Sequence, residues 1–409
     1  MSNQEEIIHT FFVHLSQSNY DRAKDFMEKQ RTMLLSYTWP KSLFDILCDF
    51  ALAEKNYSDT NFVPSKSKMF VRRDDENYLR FVYKTLIQDL EKLKLLVTNG
   101  HVIQLITSLL YYMSVRLKLL ELYDKIYTIG SANTFIDFSE LTEKAELIQN
   151  HYNHQSPIDD ILKILQYEHD CLKYLFKCHD NLENWRYIEA LINLKRGCDI
   201  FYVWEKCFQN KETWRFGSSF LNKNTFPALF LWHKKFKHLT LSKFTLYFYA
   251  ILLQQSTLQD MKNLCNTHNV HFFSKMQQLQ KKSEAQAVIL VFSSFGLTDY
   301  RGPGYCSPTK EPLDPYIKHQ VMLSYPKVPV HLDTIEQLIS DKIDADKSFN
   351  KVIWANFSTG AYLLAAVDLR VTLVMLYERR PRSEERDKVN VSDFVSQLRC
   401  HRHFLTIYK

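Results

Sequence analysis

The sequence predicts an α+β protein in which helices predominate. An N-terminal helical bundle is expected over residues 1–283, and a small α+β domain with an antiparallel sheet over residues 284–409. Three observations support this division. Apolar residues recur at spacings of three and four through the first two thirds of the chain. Glycine is scarce throughout, and the first clear β-branched run comes only at residues 287–292.

The scarcity of glycine also excludes several kinds of site. The chain has 8 glycines, whereas average usage predicts roughly 28 in a protein of this length. Phosphate-cradling loops, sharp catalytic turns and long β-arrays use glycine because it adopts positive φ and lets backbones approach closely. The composition therefore favours helices and argues against such sites.

The N-terminal part consists of successive amphipathic patterns. The clearest spans residues 75–98 and ends at Asn99-Gly100, a pair typical of a helix C-terminus. The next predicted helix carries apolar residues as far as Tyr127 and stops at Gly130. Two long helices joined by a short turn are expected to pack antiparallel. Further helices are predicted over residues 7–15, 18–27, 40–51, 139–152, 157–179 and 182–208, with a loop over 57–74.

The stretch FLWHKKFKHLTLSKFTLYFYAILL (230–253) mixes aromatic, basic and apolar residues. If it forms one helix, its first apolar face carries Trp232, Phe236, Leu239, Leu246, Tyr247 and Ala250. Its other faces carry Lys234, Lys235, Lys237 and His238. Because the apolar surface widens after Leu241, a buried core helix is the favoured interpretation, with Lys243 snorkelling or meeting a carboxylate. Nucleic-acid contact and a membrane-surface role stay open as alternatives.

The pattern changes near residue 284. Strands are predicted over 287–292, 318–323 and 328–332, and a hairpin over 361–367 and 371–377. A helix is predicted over 340–358 and a closing helix over 391–399. Loops are expected over 296–315, which is rich in glycine and proline, and over the charged stretch 379–388.

The search for chemistry yields little. The sequence has no HExxH, CxxC, GxSxG, P-loop or GxGxxG motif. Cys400, His401 and His403 form the densest group of metal-ligand residue types, but three ligands within four residues suit one tetrahedral ion poorly. His151 and His154 have no third ligand nearby. The sequence therefore assigns no catalytic, cofactor-binding, metal-binding or partner-binding residue.

Other candidate groups have simpler interpretations. Cys171 and Cys178 share a helix face and are interpreted as packing residues. The acidic run at 74–76 suits a helix N-terminus, where carboxylates meet the positive end of the dipole. The predicted charged loop contains three acids, Glu384, Glu385 and Asp387. The GPG turn at 302–304 is only a weak candidate for an anion-binding site.

Charge and cysteine usage suggest a cellular location. The 52 basic and 46 acidic residues give a net charge of +6, too weak by itself to imply a polyanionic partner. Eight cysteines are scattered without tight pairing, and the N-terminus does not have the pattern of a signal peptide. No apolar run is long enough to span a bilayer. The sequence predicts a soluble cytosolic protein with reduced thiols that reaches a membrane through a partner or a surface helix.

Several stretches resemble one known family, in the same order along nearly the whole chain. They are TFFVHLSQSNYDRAKDFMEKQ (10–30), LYDKIYTI (122–129), TFIDFSELTEKAELI (134–148), LFLWHKKFKHLTLSKFTLYFYAIL with DMKNL after it (229–265) and LVMLYERRPRSEERD (373–387). They are similar to the second-subunit family of the KICSTOR complex. The likeness is most specific in the N-terminal stretch and around residues 229–265.

The resemblance implies an all-helical domain followed by a small α+β domain of roadblock- or profilin-like type. It also implies a role rather than a reaction. KICSTOR is a scaffold at the lysosome that holds GATOR, a complex with GTPase-activating function for the Rag GTPases. It thereby restrains TOR signalling when amino acids or glucose are scarce. The expected partners are the other KICSTOR subunits and, through them, GATOR and the Rag GTPases.

No cofactor, nucleic acid or direct membrane insertion is expected, and the family has no catalytic motif to carry over. Two alternatives are kept. One is a nucleic-acid-binding helical module that uses Lys234, Lys235 and Lys237 within the 230–253 helix. The other is an enzyme or metal protein centred on Cys400 and its neighbouring histidines.

Overall fold

The structure is a computed structural model. It describes residues 3–32, 39–60, 78–132, 135–148, 156–209, 226–255, 257, 271–297, 318–326, 331–344 and 351–408. In these ranges, the helices that precede the first strand are α1 Asn3–Ser16, α2 Tyr20–Thr32, α3 Lys41–Ser58, α4 Tyr78–Leu96, α5 Gly100–Ala132, α6 Phe138–Leu147, α7 Asp159–Glu183, α8 Tyr187–Gln209, α9 Ala228–Tyr247, α10 Tyr249–Gln255 and α11 Phe272–Ser283.

The C-terminal part contains a five-stranded sheet. Its strands are β1 Ala287–Ser293, β2 His319–Tyr325, β3 Val352–Phe357, β4 Gly360–Ala366 and β5 Val371–Tyr377. They pair in the order β2-β1-β5-β4-β3, and each pair is antiparallel. The accompanying helices are α12 Leu332–Ile339, which continues as a π-helical turn at Ser340–Asp344, α13 Glu384–Leu398 and α14 His401–Phe404, which continues as a 3-10 turn at Leu405–Ile407.

The fold class is therefore confirmed as α+β with helices predominating. The predicted hairpin is β4 and β5, and the predicted strands at 287–292 and 318–323 are β1 and β2. The predicted apolar stripes of the N-terminal helices are buried in one large apolar core. The roadblock- or profilin-like comparison stays a prediction.

The two faces of the sheet bury different cores because side chains alternate along each strand. On one face, Leu290 of β1 lies opposite Leu373 of β5, and both belong to the large core shared with the helices. On the other face, Ile289 lies opposite Val374, and both pack in a smaller core closed by α12. The sheet is thus covered on both sides, which explains why β4 and β5 are almost continuously apolar.

Two predictions for the C-terminal part are wrong, the helix over 340–358 and the end of the charged loop over 379–388. Residues 340–358 do not form one helix, because α12 and its π-helical turn end at Asp344 and β3 begins at Val352. Val352 and Ile353 are β-branched, which favours a strand, and the ladder with β4 satisfies its backbone groups. The strand predicted at 328–332 lies partly outside the described residues, and its last residue begins α12. The charged loop of 379–388 ends early, since α13 already begins at Glu384.

The turn between α4 and α5 also differs from its prediction. Asn99 caps the start of α5 rather than the end of α4: its Oδ1 accepts hydrogen bonds from the backbone N–H groups of His101 and Val102 at 3.0 and 3.3 Å. Gly100 is the first residue of α5. Asparagine is favoured at both ends of helices. Here its side chain accepts hydrogen bonds from N–H groups in the first turn of α5, which have no partner within the helix.

Gly130 does not end α5, which continues to Ala132. A Cβ atom at this position would lie 2.9 Å from Cβ of Phe404 and 3.0 Å from the backbone nitrogen of Leu405. Glycine is therefore required because the backbone of α5 approaches residues 401–407 closely. These residues, the C-terminal segment, pack directly against the helical part.

The predicted boundary at 283/284 falls between α11 and β1. The large core continues across it, with members from Ile7 in α1 to Ile407 in the C-terminal segment. Aromatic contacts cross it as well, as when the Trp185 ring stacks on Phe292 of β1 at 4.0 Å.

Candidate functional site

The stretch singled out in the sequence forms two helices rather than one. α9 begins after Pro227, whose backbone is extended (φ −54°, ψ 148°), and ends at Tyr247. Phe248 (φ −105°, ψ 21°) is not helical and separates it from α10. The break in helical phase means that the apolar stripe of α9 does not continue to Ala250, which was predicted on the buried face and is exposed.

The aromatic residues of α9 are buried, which confirms the core-helix interpretation. Trp232 is 5% exposed and Phe236 is 0% exposed. They pack against aromatic rings of other elements, such as Phe176 of α7, whose ring centroid is 5.8 Å from that of Phe236. Bases of a nucleic acid stack only on exposed rings. The buried rings of α9 therefore provide no stacking surface.

Two of the three lysines in the first half of α9 contact α8. Lys234 forms an ion pair with Glu205 at 2.8 Å, and the Nζ atom of Lys237 lies 4.4 Å from the centre of the Phe201 ring. Lys235 is exposed. The basic half of the helix thus contributes mainly to packing between α8 and α9, as long side chains do when their stems cover apolar surface.

α9 also holds the C-terminal segment. The indole Nε1 of Trp232 donates a hydrogen bond to the carbonyl oxygen of His403 at 3.2 Å, and the two rings stack with centroids 4.5 Å apart. Cys400 and His401 are buried beside them. Burial raises the pKa of the Cys400 thiol to about 12, so it stays protonated.

The alternative of a metal centre at these residues gains no geometric support. Within the ranges that the structure describes, no group of three His, Cys, Asp or Glu residues is placed to hold an ion. His403 instead lies against α9, with its ring centroid 5.8 Å from that of Phe236.

A second contact, the α9–sheet junction, consists of Lys243, Tyr247 and Asp368. Lys243 is 1% exposed at its side chain, and its Nζ atom lies 3.6 Å from Oδ2 of Asp368 in the β4–β5 turn. The Tyr247 hydroxyl donates to the same carboxylate oxygen. Lys243 therefore meets a carboxylate, one of the two outcomes expected from the sequence.

The turn that carries Asp368 is held rigid by its own contacts. Oδ1 of Asp368 accepts hydrogen bonds from the backbone N–H groups of Arg370 and Val371, at 3.1 and 3.0 Å. Arg399, after α13, donates to the carbonyl oxygens of Val367 and Ala366, each at 2.8 Å. The junction thus connects α9 to a turn whose backbone polar groups are satisfied, as buried groups require.

The helical part also contains a buried polar network, which was not predicted from the sequence. It joins α3, α4, α5, α7 and α9, and its members are Glu54, Tyr57, Tyr83, Tyr112, Arg116, Tyr123, Glu168 and His233. At its centre, Arg116 donates to Oε2 of Glu54 at 3.0 Å and to Oε2 of Glu168 at 2.5 Å. One guanidinium thus faces two buried carboxylates.

Tyrosine hydroxyls provide further hydrogen bonds to both carboxylates. Tyr83 and Tyr112 donate to Glu54 at 2.6 and 2.7 Å, and Tyr57 donates to Glu168 at 2.5 Å. Burial, reinforced by the neighbouring carboxylates, raises the pKa of these tyrosines, so the hydroxyls keep their protons and act as donors. Buried charges are tolerated in proteins when they are paired and hydrogen-bonded in this way.

His233 links α9 to the network. The Tyr123 hydroxyl donates its proton to Glu168 at 2.8 Å, so it can only accept from Nε2 of His233, also at 2.8 Å. Burial lowers the pKa of His233 to about 3. The histidine is therefore neutral with its proton on Nε2, a structural donor.

The other residues noted in the sequence are placed as follows. Cys171 and Cys178 are fully buried in α7, as their packing interpretation expects. The acids at 384–387 lie in the first turn of α13, where Asp387 is buried and accepts from the Tyr377 hydroxyl at 3.4 Å. His151, His154, the acidic run at 74–76 and the GPG turn lie outside the described residues.

The chain is similar to known proteins over nearly its whole length. A protein-family profile described as "KICSTOR complex C12orf66 like" matches residues 1–408 of the chain. The chain belongs to this family. A relative named KICSTOR subunit 2 from Xenopus laevis is 27% identical over 425 aligned positions, covering 97% of this chain and 93% of the relative. A second, from Danio rerio, is 25% identical over 439 positions, covering 99% and 95%.

The match to the KICSTOR family covers both predicted parts of the chain, together with α9, the α9–sheet junction and the buried polar network. It thus confirms the resemblance seen in the sequence stretches. In the part of the chain that the structure describes, no helix has the length and apolar character needed to cross a membrane.

The buried histidines of this KICSTOR-family chain predict a loss of stability at acidic pH. Burial lowers the pKa of His179, His233 and His403 below that of an exposed histidine. The unfolded chain therefore binds protons below about pH 6.5 that the folded chain does not, so stability is present above that pH and falls below it. Each such histidine contributes a slope of up to about 1.4 kcal/mol per pH unit.

Urea unfolding at pH 7.5 and 5.5 measures this loss. His403→Phe keeps a ring packed against Trp232 and Phe236 while it removes one titrating group, so we expect a smaller loss of stability than in the wild type. His9→Gln changes an exposed histidine of α1 and is expected to leave the loss unchanged. Equal losses in the wild type and His403→Phe would contradict the prediction.

Proposed function

We propose that this chain is a non-catalytic scaffold subunit of KICSTOR. In this role it helps to hold the GATOR GTPase-activating complex at the lysosome, where GATOR acts on the Rag GTPases. The chain thereby restrains TOR signalling when amino acids or glucose are scarce. The observation that carries the proposal is the match over residues 1–408 to a family named for a complex rather than for a reaction.

The internal contacts support a scaffolding role. A scaffold acts by holding surfaces in a fixed relation, so its parts must not move freely against one another. Trp232 holds the C-terminal segment, and Lys243 with Tyr247 holds the β4–β5 turn through Asp368. One helix, α9, therefore fixes the sheet and the C-terminal segment relative to the bundle.

The proposal places the chain in the cytoplasm, bound peripherally to the lysosomal membrane through its partners. The described helices offer no membrane span of their own. Its direct partners would be the other KICSTOR subunits, and its contact with GATOR and the Rag GTPases would follow from theirs.

Affinity purification of the tagged full-length chain from its own cells tests this function. We expect the other KICSTOR subunits and GATOR to co-purify, and the tagged chain to co-fractionate with lysosomes. Cells that lack the chain should keep phosphorylating TOR substrates after amino-acid withdrawal, and the wild-type chain should restore the response. Recovery of no KICSTOR subunit, or a normal starvation response without the chain, would refute the proposal.

A further inference from the structure

The two faces of α8 have different surroundings. Its inner face packs against α7 and α9: Phe201 stacks on Phe230 of α9 with ring centroids 4.6 Å apart. A Cβ atom at Gly197 would lie 3.3 Å from Leu175 of α7. The buried residues of this face are Ala190, Leu194, Phe201, Trp204 and Phe208. This face accounts for the position of α8 in the bundle.

The outer face of α8 carries four apolar side chains that the described part of the chain leaves open to solvent. Leu191 and Ile192 are 39% and 45% exposed, and Tyr202 and Val203 are 58% and 43% exposed. The two pairs are eleven residues apart, which is about three helical turns. Leu191 therefore aligns with Tyr202 in one row, and Ile192 with Val203 in a parallel row. Single exposed apolar residues need no explanation, but a grouped set marks interaction surfaces.

Charged residues lie within and beside these rows. Lys195, Arg196, Asp199 and Lys206 are all exposed. Lys195 pairs with Asp199 along the helix, and the Nζ atom of Lys206 lies 4.3 Å from the centre of the Tyr202 ring. Glu189, one turn before Ile192, is exposed on the same face. Three positive charges against two negative charges leave this face with a net charge of +1. We call these five charged and four apolar residues the α8 outer face.

We propose that the α8 outer face is the docking surface for an amphipathic helix with acidic flanks, carried by another KICSTOR subunit. This inference rests on the proposed function and adds a partner surface to it. The two apolar pairs lie about three helical turns apart on one face, with charged side chains between them, so they can anchor two points of a second helix that packs along α8. The excess positive charge selects acidic residues beside the partner's apolar stripe, because complementary charge steers and orients association.

A surface with basic and aromatic residues could instead bind nucleic acid. The α8 outer face favours a helix because three of its four apolar side chains are aliphatic, and aliphatic side chains offer no ring on which a base can stack. Nucleic-acid binding is therefore an outcome that the experiment must be able to detect.

The experiment uses full-length chain co-expressed with the other KICSTOR subunits. Leu191→Ser with Tyr202→Ser interrupts one apolar row, and Lys195→Glu with Arg196→Glu and Lys206→Glu reverses the charge. We expect each variant to lower recovery of one subunit roughly tenfold or more, as truncation of interface anchors does. Leu95→Ser with Leu96→Ser is the matched control, because these α4 residues are 87% and 80% exposed. It should recover subunits at the wild-type level.

Zero-length carbodiimide cross-linking then identifies the chemistry of the partner. We expect Lys195 or Lys206 to be joined to an Asp or Glu in a helix of the subunit whose recovery falls. Thermal unfolding of each variant should match the wild type, since all the changed side chains are exposed.

The outcomes separate the two proposals. If the wild-type chain recovers no KICSTOR subunit, the proposed function fails and this inference fails with it. If the wild type recovers them and both α8 variants do so equally well, only the docking surface is refuted. An equal loss of subunit recovery in the α4 control would also refute the docking surface. So would tight binding of single-stranded RNA or DNA, if the charge reversal abolishes that binding and leaves subunit recovery unchanged.

Discussion

Replacing Arg116 with methionine is expected to lower the free energy of unfolding by about 3–5 kcal/mol, because it leaves two buried carboxylates without their cation. Arg116 is the only guanidinium in the buried polar network, and it contacts both Glu54 and Glu168. The tyrosine hydroxyls that remain cannot offset two like charges held in the core. Urea unfolding at pH 7.5 measures the loss.

A surface ion pair provides the matched control. Arg31 pairs with Asp45, and their side chains are 40% and 46% exposed, so Arg31→Met is expected to cost less than about 1 kcal/mol. Adding Glu54→Gln and Glu168→Gln to Arg116→Met removes the uncompensated charges and should recover part of the loss, a non-additive result expected for residues in one network. A loss below about 1 kcal/mol in Arg116→Met would contradict the assigned role of the network.

The network could not be assembled from the sequence, although one signal for it was present. Arg116 lies 62 residues from Glu54 and 52 from Glu168, and nothing in local periodicity connects such distant positions. Yet Arg116 stands four residues before Leu120 and seven before Tyr123, on the buried face of α5. A charge at such a position requires a buried partner.

Elements with a clear period were predicted well, and elements set by tertiary contact were not. The helical stripes and the β4–β5 hairpin follow from local patterning, since apolar spacing alone indicates which face is buried. By contrast, β3 forms because β4 offers a free edge for pairing, with Val352 opposite Ala365. Asn99 could cap either neighbouring helix by its residue type, and only the structure shows which one it caps.

The features of α9 show the same limit. Burial of Trp232 followed from its place on an apolar stripe, and a carboxylate partner was one of the two outcomes expected for Lys243. The identity of that carboxylate, Asp368, depends on how the β4–β5 turn meets α9, which no local pattern encodes. Cys400 and His403 appeared as metal-ligand types because they are close in sequence, whereas the fold uses them as packing residues.

Trp232→Ala is expected to lower the free energy of unfolding by about 3–5 kcal/mol, the usual cost of truncating a buried tryptophan. The residue is 5% exposed, and its ring contacts both Tyr123 of α5 and His403 of the C-terminal segment. Truncation opens a cavity at the place where the bundle meets that segment, and it removes the indole donor to the His403 carbonyl. The loss should therefore appear as unfolding and as loosening of residues 401–407.

Two further variants separate the contribution of packing from that of the hydrogen bond. Trp232→Phe keeps an aromatic ring but loses the donor. Its loss of unfolding free energy should be at least about 1 kcal/mol, the value of one hydrogen bond, and smaller than the loss in Trp232→Ala. Leu231→Ala changes an adjacent residue that is 47% exposed and should stay within about 0.5 kcal/mol of the wild type. Urea unfolding ranks the three variants. Amide hydrogen exchange should show faster exchange in residues 401–407 only for the two Trp232 variants, because local opening follows the loss of packing. Unchanged stability of Trp232→Ala with weaker recovery of KICSTOR subunits would show instead that the tryptophan contacts a partner, and α9 would then be a binding helix.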